Sequence, residues 1–329
     1  MLQLKFYKLE IIFFIFSFNF NSNLIYAQTP NIIWEKNYGG SQIDYFYNSA
    51  NTNDGGYILI GGSASSDFDL NSNYGQEDIL ITKINNIGIV EWAKNYGGSS
   101  IEEGLAIQQA SDGGYIFIGA TQSNDFDITN NLSSNRQIWV VNYGLNDYWV
   151  AKIDLQGNLI WEKNYGGSFS DVAYSIKQTN DGGFVVVGET YSSNNNVIGN
   201  HGGQDIWLIK IDSTGILVWQ KPFGGTDHEF CGSNGINITS DQGYILSGGS
   251  LSTDGDVSFN HGNIDAWILK TDSLGNIQWE NCYGGSDEDW AMTCYQQPNN
   301  EFIFCGWSYS ADGDVAGLHD PIGGGSDMW

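Results

Sequence analysis

Positive charge is scarce in this chain. Its 329 residues hold 12 Lys and Arg against 38 Asp and Glu, a formal net charge of −26, with Arg136 the sole arginine. A nucleic-acid binder needs basic side chains to displace counterions from phosphates, so this composition excludes nucleic acid as a partner. Anionic membrane surfaces are excluded on the same ground. Cations, neutral sugars and basic patches on other proteins remain compatible. Long apolar runs are also missing. The stretch from Ile11 to Phe20 falls short of the ~20 apolar residues that a membrane span requires. No Cys-x-x-Cys pair, serine elbow or phosphate-binding loop occurs, which leaves no zinc, acyl-transfer or nucleotide signature to follow.

Cysteine is sparse and late: Cys231, Cys282, Cys294 and Cys305. If Asn299-Asn300 forms a two-residue turn, Cys294 and Cys305 face each other on paired strands and can form a bridge. Free buried thiols are the alternative.

The N-terminus reads as a secretory signal peptide over residues 1–27. Lys5 and Lys8 precede the apolar stretch, and Ile25-Tyr26-Ala27 supplies a small residue at the cut. The expected mature domain is 28–329, secreted or held at the cell surface, with no membrane insertion. Aromatics at 14 % against 15 % charged residues provide enough apolar surface for a core and argue against disorder.

What is abundant is repetition. Trp34, Trp92, Trp161, Trp219 and Trp279 each stand four residues ahead of an aromatic residue followed by Gly-Gly, at spacings of 58, 69, 58 and 60. A period of this size marks one supersecondary unit copied in tandem. Within each unit, Asp-Gly-Gly (Asp54, Asp112, Asp181) or Asp241-Gln242-Gly243 separates two apolar runs, as a tight hairpin requires. A long polar loop leads to a strand opening with Asp-x-Trp, as at Asp147, Asp205 and Asp265. A turn ending in Gly (Gly157, Gly215, Gly275) then suits a bulged hairpin. These four antiparallel strands, a to d, are expected to form a propeller blade. The 43 glycines and the β-branched runs disfavour helical repeats.

The predicted fold is therefore all-β: a β-propeller of four-stranded antiparallel blades, five blades closed by the N-terminal strand. Ile32 to Tyr38 is the orphan d strand that would complete the last blade and leave no edge unpaired. A monomer is expected. Trp329 falls where other repeats continue with Leu-Ile-Lys-Ile-Asp, which points to a reading frame that stops early.

In such a blade the b–c and d–a connections share one face. The b–c loops are long, polar and variable, and loops of that kind on a rigid scaffold are where binding resides. Four begin with Asp-x-Asp: Asp67 and Asp69, Asp125 and Asp127, Asp254 and Asp256, Asp312 and Asp314. Asn194-Asn195-Asn196 replaces the motif in the third. Paired carboxylates can hold Ca²⁺, although the ligand set is incomplete; the competing reading gives these residues to turn geometry. His201, His261 and His319 share an equivalent position, where Tyr74 and Tyr143 stand in other repeats. A position that accepts Tyr favours packing or hydrogen bonding over catalysis. An insertion around Ser133 to Asn142 carries Trp139, a contact for a partner or a plug for the central channel.

The segment Asp154-Leu155-Gln156-Gly157-Asn158-Leu159-Ile160-Trp161 resembles the tryptophan-docking repeat of quinoprotein-type propellers. It recurs at Asp212, Gly215, Trp219 and at Asp272, Gly275, Trp279. With Asp-Gly-Gly-Tyr and Asp-x-Trp added, the pattern over Asn31 to Trp329 resembles secreted β-propeller repeat proteins of Bacteroidota. That resemblance implies an exported surface protein, in a group mostly without assigned activity. Quinoprotein dehydrogenases have eight blades and a cofactor cage; neither is present here, so no enzymatic role is carried over. The function expected from the sequence is an exported non-enzymatic scaffold presenting a loop face to a glycan or an extracellular protein, without an organic cofactor. A polysaccharide-active enzyme using loop carboxylates and a purely structural spacer are the competing readings.

Overall fold

The computed structural model describes residues 32–70, 73–128, 146–317, 319 and 325–329. The signal segment 1–27 and the insertion with Arg136 and Trp139 lie outside the described residues. The chain divides into two units, Met1–Glu35 and Lys36–Trp329. Of the first, residues 32–35 are described; they form no strand, and Ile32 and Ile33 are exposed. Among the described residues no helix is long and apolar enough to cross a membrane.

All the described strands belong to the second unit. The first sheet is β1 (Asp44–Asn51), β2 (Tyr57–Ser63), β3 (Asp78–Ile84) and β4 (Val90–Tyr96), in chain order and antiparallel. The second repeats it with β5 (Glu102–Gln109), β6 (Tyr115–Thr121), β7 (Asp147–Ile153) and β8 (Leu159–Tyr165). The third comprises β9 (Asp171–Gln178), β10 (Phe184–Thr190), β11 (Asp205–Ile211) and β12 (Leu217–Phe223). The fourth is β13 (Glu229–Ile238), β14 (Tyr244–Ser250), β15 (Asp265–Thr271) and β16 (Ile277–Tyr283). A parallel pairing of Asn234 with Thr293 continues it into β17 (Asp289–Gln296), β18 (Phe302–Ser308) and the two-residue β19 (Asp327–Met328).

Hydrophobic side chains stack these sheets in sequence. Ile118 and Val150 of the second pack with Val186, Trp207 and Ile209 of the third. Val187 and Leu208 of the third pack with Leu246 and Trp267 of the fourth. A middle strand thus has a neighbouring sheet on each side, and β7, β11 and β15 are buried along their whole length. Trp149, Trp207 and Trp267 are completely buried there. Each such side chain contributes roughly 1.5–3 kcal/mol of apolar burial.

The turns follow the expected chemistry. Gly55, Gly113 and Gly182 take φ of +82°, +93° and +81°. The next lysine along each unit is drawn inside: Lys83, Lys152, Lys210 and Lys270 are nearly buried. Their ammonium groups reach Asp54, Asp112, Asp181 and Asp241 of the a–b turns at 2.8–3.0 Å. Gly157, at φ +73°, closes the bulged c–d turn, with the register shift falling between Lys152 and Ile153.

Two expectations need correction. The fold is all-β, of repeated four-stranded antiparallel sheets, and propeller-like, but it is not a ring of five closed by the N-terminal strand. Residues 32–40 form no strand. A d strand pairs on strand c, and in the last repeat that strand is the two-residue β19, which offers no edge to build on. The repeated tryptophans pack at the seams between sheets and not in the depth of the core. Trp92, Trp161 and Trp219 are half-buried on the outer strands, and Trp279 is 37 % exposed. Finally, Cys294 pairs with Phe304, and Cys305 with Thr293. Asn300 at φ +67° lengthens the turn by one residue and slips the register, which puts the two thiols on opposite faces. All four cysteines are free.

Candidate ligand-binding face

The aromatic-Gly-Gly motif is where this face is assembled. Residues four apart on a strand share a side, so Trp92 and Tyr96 reach the same object. That object is the c–d turn of the next sheet: Trp92 Nε1 donates to Leu155 O at 3.1 Å, and Tyr96 Oη donates to Gly157 O at 2.6 Å. Trp161 and Tyr165 repeat this on Ser213 O and Gly215 O. The two glycines that follow turn the chain onto the opposite face of the array, beside the b–c loops.

These glycines are needed because carboxylates close on them. A Cβ built on Gly284 would stand 2.5 Å from Asp289 Oδ2 and 2.7 Å from Asp265 Oδ1, and one on Gly285 would strike Asp312 and Ser310. Asp265 begins β15, and Asp289 begins β17 in the following sheet. Their equivalents are Asp78 with Glu102, Asp147 with Asp171, and Asp205 with Glu229, all fully buried. Each junction between successive sheets therefore holds two buried acids around one glycine. Burial, then the like charges of Glu102 and Asp127, push the Asp78 carboxyl up to about 7, against a hydrogen bond from Tyr74 N–H. Burial likewise raises Asp171 to about 6, although Thr190, Gly167 and Ser192 donate to it. Sequence inspection missed these pairs; the signal was the invariably acidic first residue of strands a and c.

The Asp-x-Asp residues serve the same segment. Asp67, Asp125, Asp254 and Asp312 each accept a main-chain N–H through Oδ1 at 2.8 Å, from Ser41, Ser99, Thr226 and Ser286. Asp69, Asp127 and Asp256 accept from Gly39, Gly97 and Gly224 at 3.2–3.4 Å. Asp314 is tied through its main chain, its N–H donating to Gly284 O at 2.8 Å. In the third sheet Asn194 and Asn196 make the corresponding bonds through Oδ1, so these contacts need an oxygen acceptor and no charge. Among the described residues, no group of three or more His, Cys, Asp or Glu side chains is arranged to hold a metal ion.

The histidines span sheets. His201 Nδ1 lies 2.8 Å from Asp205 Oδ2 of its own sheet, and its Nε2 lies 3.8 Å from Asp256 Oδ2 of the next. His261 repeats this with Asp265 at 2.6 Å and Asp314 at 3.7 Å. His319 meets Asp327 at 2.8 Å and is largely exposed. These side chains are placed as fasteners between loops. Tyr74 keeps the main-chain bond to Asp78, at 2.6 Å, but its ring turns to Phe126, with centroids 5.5 Å apart and planes at 34°. Tyr143 lies outside the described residues.

The middle residue of each Asp-x-Asp adopts a left-handed backbone. Gly255 and Gly313 take φ +65°, and Asn195 takes +56°. Phe68 and Phe126 take +57° and +53°, and they are 83 % and 65 % exposed. Ile198 and Phe259 are exposed in the third and fourth b–c loops, so four of the five b–c loops show solvent a large apolar side chain. Exposed aliphatic residues also occur at the c–d turns, among them Ile87, Leu155, Ile216 and Leu274, none of them in the left-handed region.

No protein-family model matches the sequence, and no curated protein matches it. Several solved structures show some likeness, two of them as follows. One is a protein of unknown function from Bacteroides caccae, at 10 % identity over 72 % of this chain and 81 % of that one, with a TM-score of 0.30. The other is a mannose phosphorylase from Leishmania mexicana in complex with phosphate ion, at 11 % identity over 79 % of each chain, with a TM-score of 0.36. At these scores neither likeness bears on what this protein does.

Proposed function

We propose that the protein is an exported, non-enzymatic scaffold whose b–c loop face binds a glycan or an extracellular protein. One observation supports this most directly: four of the five b–c loops expose a large apolar side chain, Phe68, Phe126, Ile198 and Phe259, and the first two do so from a left-handed backbone, as none of the exposed aliphatic residues of the c–d turns does. The opposite face closes its a–b turns with its own Asp–Lys pairs. An enzyme using loop carboxylates would need a pair held free for substrate, at roughly 5–10 Å separation. The carboxylates of this face instead accept main-chain N–H groups or flank histidines. A glycan array together with a pull-down from an extracellular fraction tests the reading, and two empty results would overturn it.

A further inference from the structure

Two phenylalanines occupy backbone positions that suit glycine. At the equivalent Gly255 and Gly313, an added Cβ would press on Gly224 O and Gly284 O. The hydrogen bond beside the position records that pressure. With glycine in the middle, Asp256 N–H and Asp314 N–H reach the carbonyl of the first motif glycine at 2.9 and 2.8 Å. With Asn195 the distance is 3.1 Å; with Phe126 and Phe68 it grows to 3.2 and 3.4 Å. A non-glycine residue held in this region strains the backbone. The Phe68 ring faces solvent, and the ring packed against Phe126 is that of Tyr74, itself on the surface. The rings themselves must be what is used.

Their surroundings narrow the ligand. The Tyr74 ring of the first sheet, 38 % exposed, lies against Phe126 of the second, so an aromatic surface crosses the junction between sheets. Asp67 and Asp69 flank Phe68, both exposed, and each has one oxygen engaged with the main chain. Neither 64–70 nor 122–128 carries a Lys or Arg. Flat apolar rings beside anionic acceptors suit a molecule with a C–H face and many hydroxyl donors, and they repel an anion. Three rings are far too little for the ~800 Å² per partner that a stable protein interface buries.

We infer that the paired Tyr74 and Phe126 rings, together with the exposed Phe68 of the loop that carries Tyr74, form stacking surfaces for the pyranose rings of a neutral saccharide, with Asp67 and Asp69 accepting its hydroxyls. This rests on the loop-face reading above and makes it specific to the first two sheets. The test is native gel electrophoresis of the full chain through neutral polysaccharides (β-glucan, xylan, α-mannan), with alginate as the anionic counterpart. Titration calorimetry on the retarding polymer follows. At least one neutral polymer is expected to retard the parent, and alginate is not. Phe68→Gly and Phe126→Gly should weaken binding at least about ten-fold with an unchanged or higher Tm. Ile198→Asn, in the third sheet, should leave binding intact. Retardation kept by both glycine variants, or lost in Ile198→Asn alone, would overturn the platform while leaving the loop-face reading in place. A parent retarded by no neutral polymer would overturn the saccharide assignment; the loop-face reading falls only if the array and pull-down are empty too.

Discussion

The indole of Trp161 lies over Gly215 of the next sheet, so close that a Cβ built there would stand 2.9 Å from the ring. Its Nε1 donates to Ser213 O at 3.3 Å in the same turn. Gly215 also sits at φ +80°. Gly215→Ala is therefore expected to destabilise by about 1–3 kcal/mol, combining left-handed strain with overpacking. Trp161→Ala, emptying a half-buried site, should cost only about 2 kcal/mol. Trp207→Ala, in the core, should cost about 3–5 kcal/mol. Urea titrations of the three variants check the ranking, and equal losses for Trp161 and Trp207 would contradict it.

Stability should rise as pH falls from about 7 toward 5. In the folded chain Asp78 is held up to about 7, Asp171 to about 6 and Glu189 to about 7. Between an ordinary carboxyl pKa of about 4 and these values the folded state holds more protons than the unfolded one, so stability is lost as pH rises through that window. Asp181 and Asp241, lowered to about 2, act the other way and only below pH ~4. A Tm several degrees higher at pH 5.5 than at pH 7.5 is expected, at roughly 2 °C per kcal/mol for a chain of this size. Asp78→Asn should flatten that slope; a parent Tm flat across the window would sink the argument.

Phe68→Gly and Phe126→Gly should each stabilise by up to about 1 kcal/mol, since glycine relieves the left-handed strain. Chemical denaturation measures it. A loss of stability in both would show that the rings are packed and not presented.

Calcium tests the Asp-x-Asp residues from the other side. All of them but Asp314 have one carboxylate oxygen tied to a main-chain N–H, and Asn194 and Asn196 serve equally in the third sheet. Millimolar calcium followed by EDTA is expected to leave Tm within about 2 °C, against the ~2.7 kcal/mol that a site saturated a hundred-fold would add. A larger calcium-dependent rise, abolished in the double variant Asp254→Asn, Asp256→Asn, would assign an ion there.

Thiol titration follows from the slipped register. Cys305 is exposed, while Cys231, Cys282 and Cys294 are buried. Burial raises the Cys294 thiol to about 12. A thiol reagent should modify only Cys305 in the native protein and all four cysteines after denaturation.

Much of the architecture was legible because it is written in turns. Asp-Gly-Gly and Asp-x-x-Gly fix local backbone, and local backbone is what single residues dictate. Spacing reveals that Trp161 docks and not how deeply; depth depends on the neighbouring sheet. The same limit applied to Cys294 and Cys305, where Asn300 entering the left-handed region changed the register by one. At the candidate site, Asp67, Asp69 and His201 were visible as a pattern. Their engagement with N–H groups and with Asp205 was not, because it joins segments some 4 to 55 residues apart. Phe68 and Phe126 were readable in principle: they stand where Gly255 and Gly313 stand.

The packing of each sheet on the next has a dynamic consequence. Strands β6, β10 and β14 are almost wholly buried, whereas the equivalent β18 of the last repeat, and β1 of the first, are mostly half-buried or exposed. In an array whose units lean on their neighbours, opening begins where a neighbour is missing and spreads inward. Amide hydrogen exchange should therefore run fastest in the outermost sheets and slowest around Trp207, so that the molecule frays from its ends like an unbound rope.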